Sequence, residues 1–183
     1  MNFRYSNADL IKEANWNERT CERRQGGFMI DKTSLPSGMK VLPKGAVMAL
    51  NASGNAIYVK TAQAQADAAS AATSLKVKKG HDLVVGDTIA GSTISAINTS
   101  NTNYDTLTVS ALSAAVTADD VLNSSLGNGI VGLNYAPVVI DDQPSCTITL
   151  QAYDIDEATM PYTFGINSAI KEGLTSRHSF LNK

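Results

Sequence analysis

Few side chains in this 183-residue sequence could do covalent chemistry: two cysteines, Cys21 and Cys146, and two histidines, His81 and His178. A cysteine nucleophile needs a histidine base within reach and surroundings that favour the thiolate. Arg19, Arg23 and Arg24 surround Cys21 in the sequence and would lower its pKa. Cys146 falls on the inward side of a strand pattern, where a thiol acts as a small hydrophobe. Neither carries a local active-site signature. Carboxylates cluster at Asp119-Asp120, Asp141-Asp142 and Asp154-Ile155-Asp156-Glu157. A glycosidase needs two such groups flanking a sugar, usually in an aromatic-lined cleft; here aromatics are 6% and Trp16 is the single tryptophan. The Asp154–Glu157 run offers oxygens to a calcium ion but lacks the spacing and glycine of an EF-hand loop. Gly127, Gly129 and Gly132 have the dinucleotide-loop spacing, with neither the preceding βαβ pattern nor a following helix. Two cysteines also exclude a four-cysteine zinc site or a disulfide framework. With no convergent acid, base, nucleophile or metal set, the sequence predicts a structural or binding protein, not an enzyme, with no cofactor or metal.

The charges are unevenly spread. Residues 1–79 hold 12 Lys/Arg against 6 Asp/Glu, whereas residues 80–170 hold 10 Asp/Glu and no Lys or Arg. The acidic middle must therefore stay solvated, bind cations or meet bases from elsewhere. One reading wraps the basic ends around the middle; the other docks the basic ends on a partner while the acidic middle faces solvent. The net charge of -2 argues against general nucleic-acid binding. The opening residues lack the apolar stretch of a signal peptide, and no apolar run reaches the roughly 20 residues of a membrane span. The expectation is a soluble protein made in a cytoplasm, with no membrane partner.

The elements that would position these groups are mainly β. A short helix is predicted over the N-terminal segment, capped by Ser6 or Asn7, with Leu10, Ala14 and Cys21 on one face and its end near Arg23, Arg24 and Gly26-Gly27. Residues 40–60 read as a β-hairpin around the turn Asn51–Asn55. Residues 62–72, seven alanines in eleven, read as a connector with at most a helical turn. Residues 74–125 carry about five short alternating strands at roughly ten-residue spacing, which predicts a small β-barrel or sandwich. Lys76, Lys78, Lys79 and His81 sit at its edge, guarding against strand pairing or forming an anion or partner site. Strands follow at 130–133, 137–140 and 146–153, the last with Cys146, Ile148, Leu150 and Ala152 facing one way. A final helix is expected over 166–177, weakened by Gly173. The expected organisation is an N-terminal helical docking segment (1–27), an outer β domain (28–61 with 126–160), an inserted barrel (74–125), and a C-terminal helix and tail (161–183).

The segments SLKVKKGHDLVVGDTIAG (74–91), ISAINTSNTNYDTLTV (94–109) and ADDVL (118–122) resemble the central unit of the head fiber or capsid decoration proteins of tailed bacteriophages, including crAss-like phages. LPSGMKVLPKGAVMAL (35–50) and MPYTFGINSAIKEGLTSRHSFL (160–181) are similar to the flanks in that family. The likeness covers residues 28–60, 74–124 and 160–182, and leaves out the first 25 residues and the alanine-rich connector. It implies a non-catalytic virion protein on the outer capsid surface. Such a protein is commonly a homotrimer seated on the major capsid protein, so this chain would be a homo-oligomer, its number not fixed by the sequence.

On that expectation the basic N-terminal segment docks on the shell or on sister subunits and the Ser/Thr-rich barrel projects outward, with a host surface glycan as a further candidate partner. The expected interface residues are Trp16, Arg23, Arg24, Phe28, Phe164, Ile170 and Leu174. Aromatic and arginine side chains carry much of the energy at protein interfaces. Two rivals remain. A carbohydrate-binding module or adhesin would need an exposed aromatic patch from Tyr104, Tyr153 and Tyr162. A small hydrolase would need a deep cleft with two aspartates.

Overall fold

A computed structural model describes residues 12–24, 27–36 and 38–181. The chain is mainly β, with one short α-helix among the described residues. Two separate hydrophobic cores organise it.

The outer body opens with β1 (Glu22–Arg23), β2 (Phe28–Met29), β3 (Val41–Leu42), β4 (Val47–Leu50) and β5 (Ala56–Tyr58). β4 and β5 form the antiparallel hairpin expected at 40–60, with Met48 opposite Tyr58 and Leu50 opposite Ala56. Its loop is held by Asn51, whose side-chain oxygen accepts from the Ser53 and Asn55 backbone N–H groups. The amide thus adds to the backbone bonds of the turn, Gly54 N–H to Asn51 O and Asn51 N–H to Asn55 O, which is why asparagine suits this position.

The chain then enters the barrel through β6 (Thr61–Gln63), β7 (Ser74–Lys78), β8 (Thr88–Ile89), β9 (Ser92–Asn98), β10 (Tyr104–Val109) and β11 (Val121–Asn123). β7, β10, β9 and β8 form one sheet in that order, and β11 pairs with β6. Two single bridges, Ala64 to Val77 and Ile89 to Ser124, join that pair to both edges of the sheet. Strand neighbours therefore run once around, which leaves no long free edge. Leu75, Val77, Ile94, Leu107 and Val109 fill the interior, as the period-2 pattern requires.

The alanine-rich segment is no connector. Ala62 and Ala64 are fully buried in the barrel core, and Ala68 bridges Val116. Small side chains let the wall close over Leu75 and Val77; tertiary packing overrides their helix propensity.

The return path supplies β12 (Ile130–Leu133), β13 (Val138–Val139), β14 (Ser145–Cys146), β15 (Thr149–Ile155), α1 (Ser168–Gly173) and β16 (His178–Phe180). β1 and β16 flank β15, antiparallel and parallel respectively. The strand expected over 146–153 is broken at Thr147-Ile148. Downstream of the break Thr149, Ala152 and Ile155 point inward, whereas Leu150 is only half-buried.

Both terminal helices need correction. Residues 12–24 are not helical; the proposed caps Ser6 and Asn7, with Leu10, lie outside the described residues. The segment runs extended along the outer body instead. Asn15 bridges Asp156, and the Asn17 N–H donates to Tyr153 O at 2.9 Å. A chain with so few apolar side chains gains more from this ladder than from a solvent-exposed helix. The C-terminal helix is one and a half turns, not 166–177. Asn167 caps it by accepting from the Ile170 N–H at 3.0 Å, and Thr175 breaks it by adopting φ +64°. The chain then turns into β16.

Candidate functional site

Edge strand β1 presents a basic face. Arg19, Arg23 and Arg24 are exposed, and none forms an ion pair among the described residues. Two of them lie against aromatic rings: the Arg23 guanidinium is 4.6 Å from the Tyr135 ring centre and Arg24 6.0 Å from that of Phe28. Stacking of this kind holds a guanidinium while leaving its donors free. Two depressions adjoin the strand. One, about 530 Å³, is lined by Cys21, Glu22, Arg23, Arg24 and Thr147. The other, about 240 Å³, has Arg24 and Arg177 at its rim and Ile130, Val131 and Leu150 at its floor. Arg24 borders both.

Behind this face lies a fixed polar cluster. Glu18 is ion-paired with Lys44 and accepts from the Tyr135 hydroxyl at 3.1 Å; Lys44 also sits 4.2 Å from the Trp16 ring centre. The Lys44 contact holds the Glu18 carboxyl below its ordinary pKa. Cys21 differs from expectation. Burial and the Glu18 charge push its thiol up, outweighing Lys44 and Arg23, so the arginines do not make it a thiolate. Burial pushes Cys146 up to about 11. Neither cysteine is activated for attack.

The expected interface residues divide. Arg23 and Arg24 are exposed, and Phe28 and Phe164 are half-buried. Trp16 is 4% exposed, and Ile170 and Leu174 are buried with it in the outer core. Those three hold the outer body together and are not available as surface anchors. Sequence reasoning missed Arg177, which was visible only as one charge of a basic tail.

Both histidines are internal. His178 Nδ1 lies 2.7 Å from Leu174 O, so it carries the proton; Nε2, 2.9 Å from Thr149 Oγ1, accepts from that hydroxyl. Thr149 Oγ1 in turn accepts from the Leu133 N–H. Burial lowers the His178 pKa, opposed by the Leu174 bond. His81 Nδ1 accepts from the Leu83 N–H, leaving Nε2 3.2 Å from Asp105 Oδ2 in a geometry too bent for a hydrogen bond. Burial lowers its pKa too, against the raising effect of Asp105. Asp105 is also ion-paired with Lys79. The expected basic cluster thus points partly inward, neutralising a buried carboxylate of the barrel.

The carboxylates of the Asp154–Glu157 run are engaged in local structure. Asp156 caps a 3-10 turn through the Ala158 N–H, Glu157 pairs with Lys171 at 2.7 Å, and Asp154 is 3.4 Å from the Asn17 amide. No group of three or more His, Cys, Asp or Glu converges among the described residues. Bases from both ends reach the acidic middle: Lys60 meets Asp87, Lys78 meets Asp119, and Lys171 meets Glu157. Tyr162 is buried, donating to Val59 O at 2.9 Å, while Tyr104 and Tyr153 lie in different bodies. The three make no aromatic patch.

No family model, curated protein or solved structure matches this chain. Among the described residues no helix is long and apolar enough to cross a membrane.

Proposed function

We propose that this chain is a structural virion protein that decorates the outside of a phage capsid as a homo-oligomer. The outer body docks on the capsid lattice through the β1 arginines, and the barrel projects. One contrast carries the reading. Every aspartate of the barrel has a partner within the chain: Asp67, Asp82, Asp87, Asp105, Asp119 and Asp120 accept hydrogen bonds or ion pairs. The outer body instead leaves Arg19, Arg23, Arg24 and Arg177 without a carboxylate among the described residues. Exposed, pre-oriented guanidiniums beside a self-satisfied module suit a protein that acts by attachment.

The test is sedimentation with capsids stripped of accessory proteins. The wild-type chain is expected to pellet with them, less as salt rises. The triple variant Arg19→Glu, Arg23→Glu, Arg24→Glu, with unchanged circular dichroism, is expected to stay in the supernatant. Equal pelleting of the variant, or absence of the protein from purified particles, would overturn the proposal.

A glycan-binding reading has one observation in its favour. A cleft of about 340 Å³ between the two bodies is lined by Thr88, Asn123, Ser124, Ser125 and Asn167 with Leu122 and Leu126, and by no charged side chain. Saturation-transfer NMR with neutral oligosaccharides tests it directly.

A further inference from the structure

We infer that the groove between Arg24 and Arg177 receives an extended acidic segment of a partner protein, with one aliphatic side chain seated between two carboxylates. The inference rests on the docking reading above and names the chemistry that docks.

The groove exists because three elements meet imperfectly. β12 is the edge of its sheet, order β12-β4-β5, and shifts register between Ile130 and Gly132. β15 runs beside it, and the end of α1 closes one side. The helix end lies tightly on this strand only because Gly173 has no side chain: a Cβ there would stand 2.7 Å from Ile130 Cδ1. Beside that contact Ile130, Val131 and Leu150 are half-buried and form an apolar floor. Exposed Arg24 and Arg177 stand at the rim, and neither has a carboxylate partner among the described residues.

Size and chemistry select the occupant. The volume, about 240 Å³, is below the roughly 300–1,000 Å³ of small-molecule sites, and suits one aliphatic side chain. An apolar floor gives nothing to a phosphate or a nucleotide sugar. Paired guanidiniums match carboxylates in two-pronged geometry, which favours Asp or Glu on either side of the buried residue. Backbone strain marks the same rim. Thr175 is a β-branched residue at φ +64°, a conformation that costs free energy and concentrates at binding sites.

The probe is a fluorescein-labelled peptide, Gly-Asp-Leu-Asp-Gly, titrated with the full chain and read by fluorescence polarisation at low salt. Saturable binding is expected, weakening at least about tenfold in Arg24→Glu or Arg177→Glu. It should weaken less in Arg24→Lys, which keeps the charge and loses the fork, than in Arg24→Glu, and vanish when the peptide leucine becomes glycine. No binding, equal binding of the Lys-for-Asp peptide, or indifference to both arginine reversals would overturn the inference. If the reversals change the oligomeric state by light scattering while the peptide fails to bind, the occupant is a second copy and the inference falls. If the peptide fails yet capsids still bind the chain, the groove assignment falls and the attachment reading stands.

Discussion

Lys60 is 1% exposed, and its ammonium sits 2.7 and 2.9 Å from the two oxygens of Asp87, whose side chain is 14% exposed. Asp87 also accepts from the Val84 N–H at 2.7 Å. Asp87→Asn keeps that acceptor and the side-chain shape, and strands a buried ammonium. Breaking one half of a buried pair costs about 3–5 kcal/mol. With a urea slope of about 2 kcal/mol/M, the unfolding midpoint should fall by about 1.5–2.5 M. The assay follows Trp16 emission, which reports the outer core, and far-ultraviolet circular dichroism, which reports both bodies. Because Lys60 stands where the chain passes between the cores, both signals should shift together. The double variant Lys60→Met, Asp87→Asn removes the stranded charge and should recover most of the loss. A midpoint change below about 0.5 M in Asp87→Asn, or a double variant no more stable than the single one, would refute the claim that this pair is dry and mutually dependent.

Trp16→Ala should destabilise the isolated protein by about 3–5 kcal/mol, seen as a lower melting temperature without any capsid present, since the ring fills the outer core. Gly173→Ala should lower the melting temperature despite alanine's helix preference, because its Cβ would also meet Ile130 Cβ at 3.2 Å; a rise would contradict the tight approach. Burial lowers both histidine pKa values, so the fold favours the neutral rings. The cost is absent above the ordinary value of 6.5, grows as pH falls from there toward the lowered values, and levels off below them, so thermal stability should decline as pH drops below about 6.5. Replacing His178 by Gln should flatten part of that slope.

Local chemistry was legible where local chemistry decides. The Asn51–Asn55 turn between apolar runs announced the β4–β5 hairpin, and the alternation of Leu107 and Val109 with Thr106 and Thr108 announced β10. Reading failed where distant partners decide. Residues 12–24 take their form from Tyr153 and Asp156, more than 130 positions away, and no periodicity encodes that ladder. Ala62 and Ala64 looked like spacer because burial of small side chains leaves no amphipathic signature. Trp16, Ile170 and Leu174 looked like anchors because an apolar residue near a terminus reads alike whether it meets its own core or a partner. Of the basic face, Arg23 and Arg24 were visible in the sequence. That they pair with no carboxylate among the described residues, and that they lie near Arg177, follows only from the folding of β1 and β16 around β15.

The barrel departs from the outer body and returns to it at one spot. The Ser124 N–H donates to Lys60 O at 2.9 Å, and the Lys60 N–H donates to Ser124 Oγ at the same distance. The two crossings are thereby clasped together, and the barrel meets the outer body over a narrow base. Such a join works like a socket: a larger, smaller or differently decorated plug fits at the same two crossings while the strands of the outer body stay as they are.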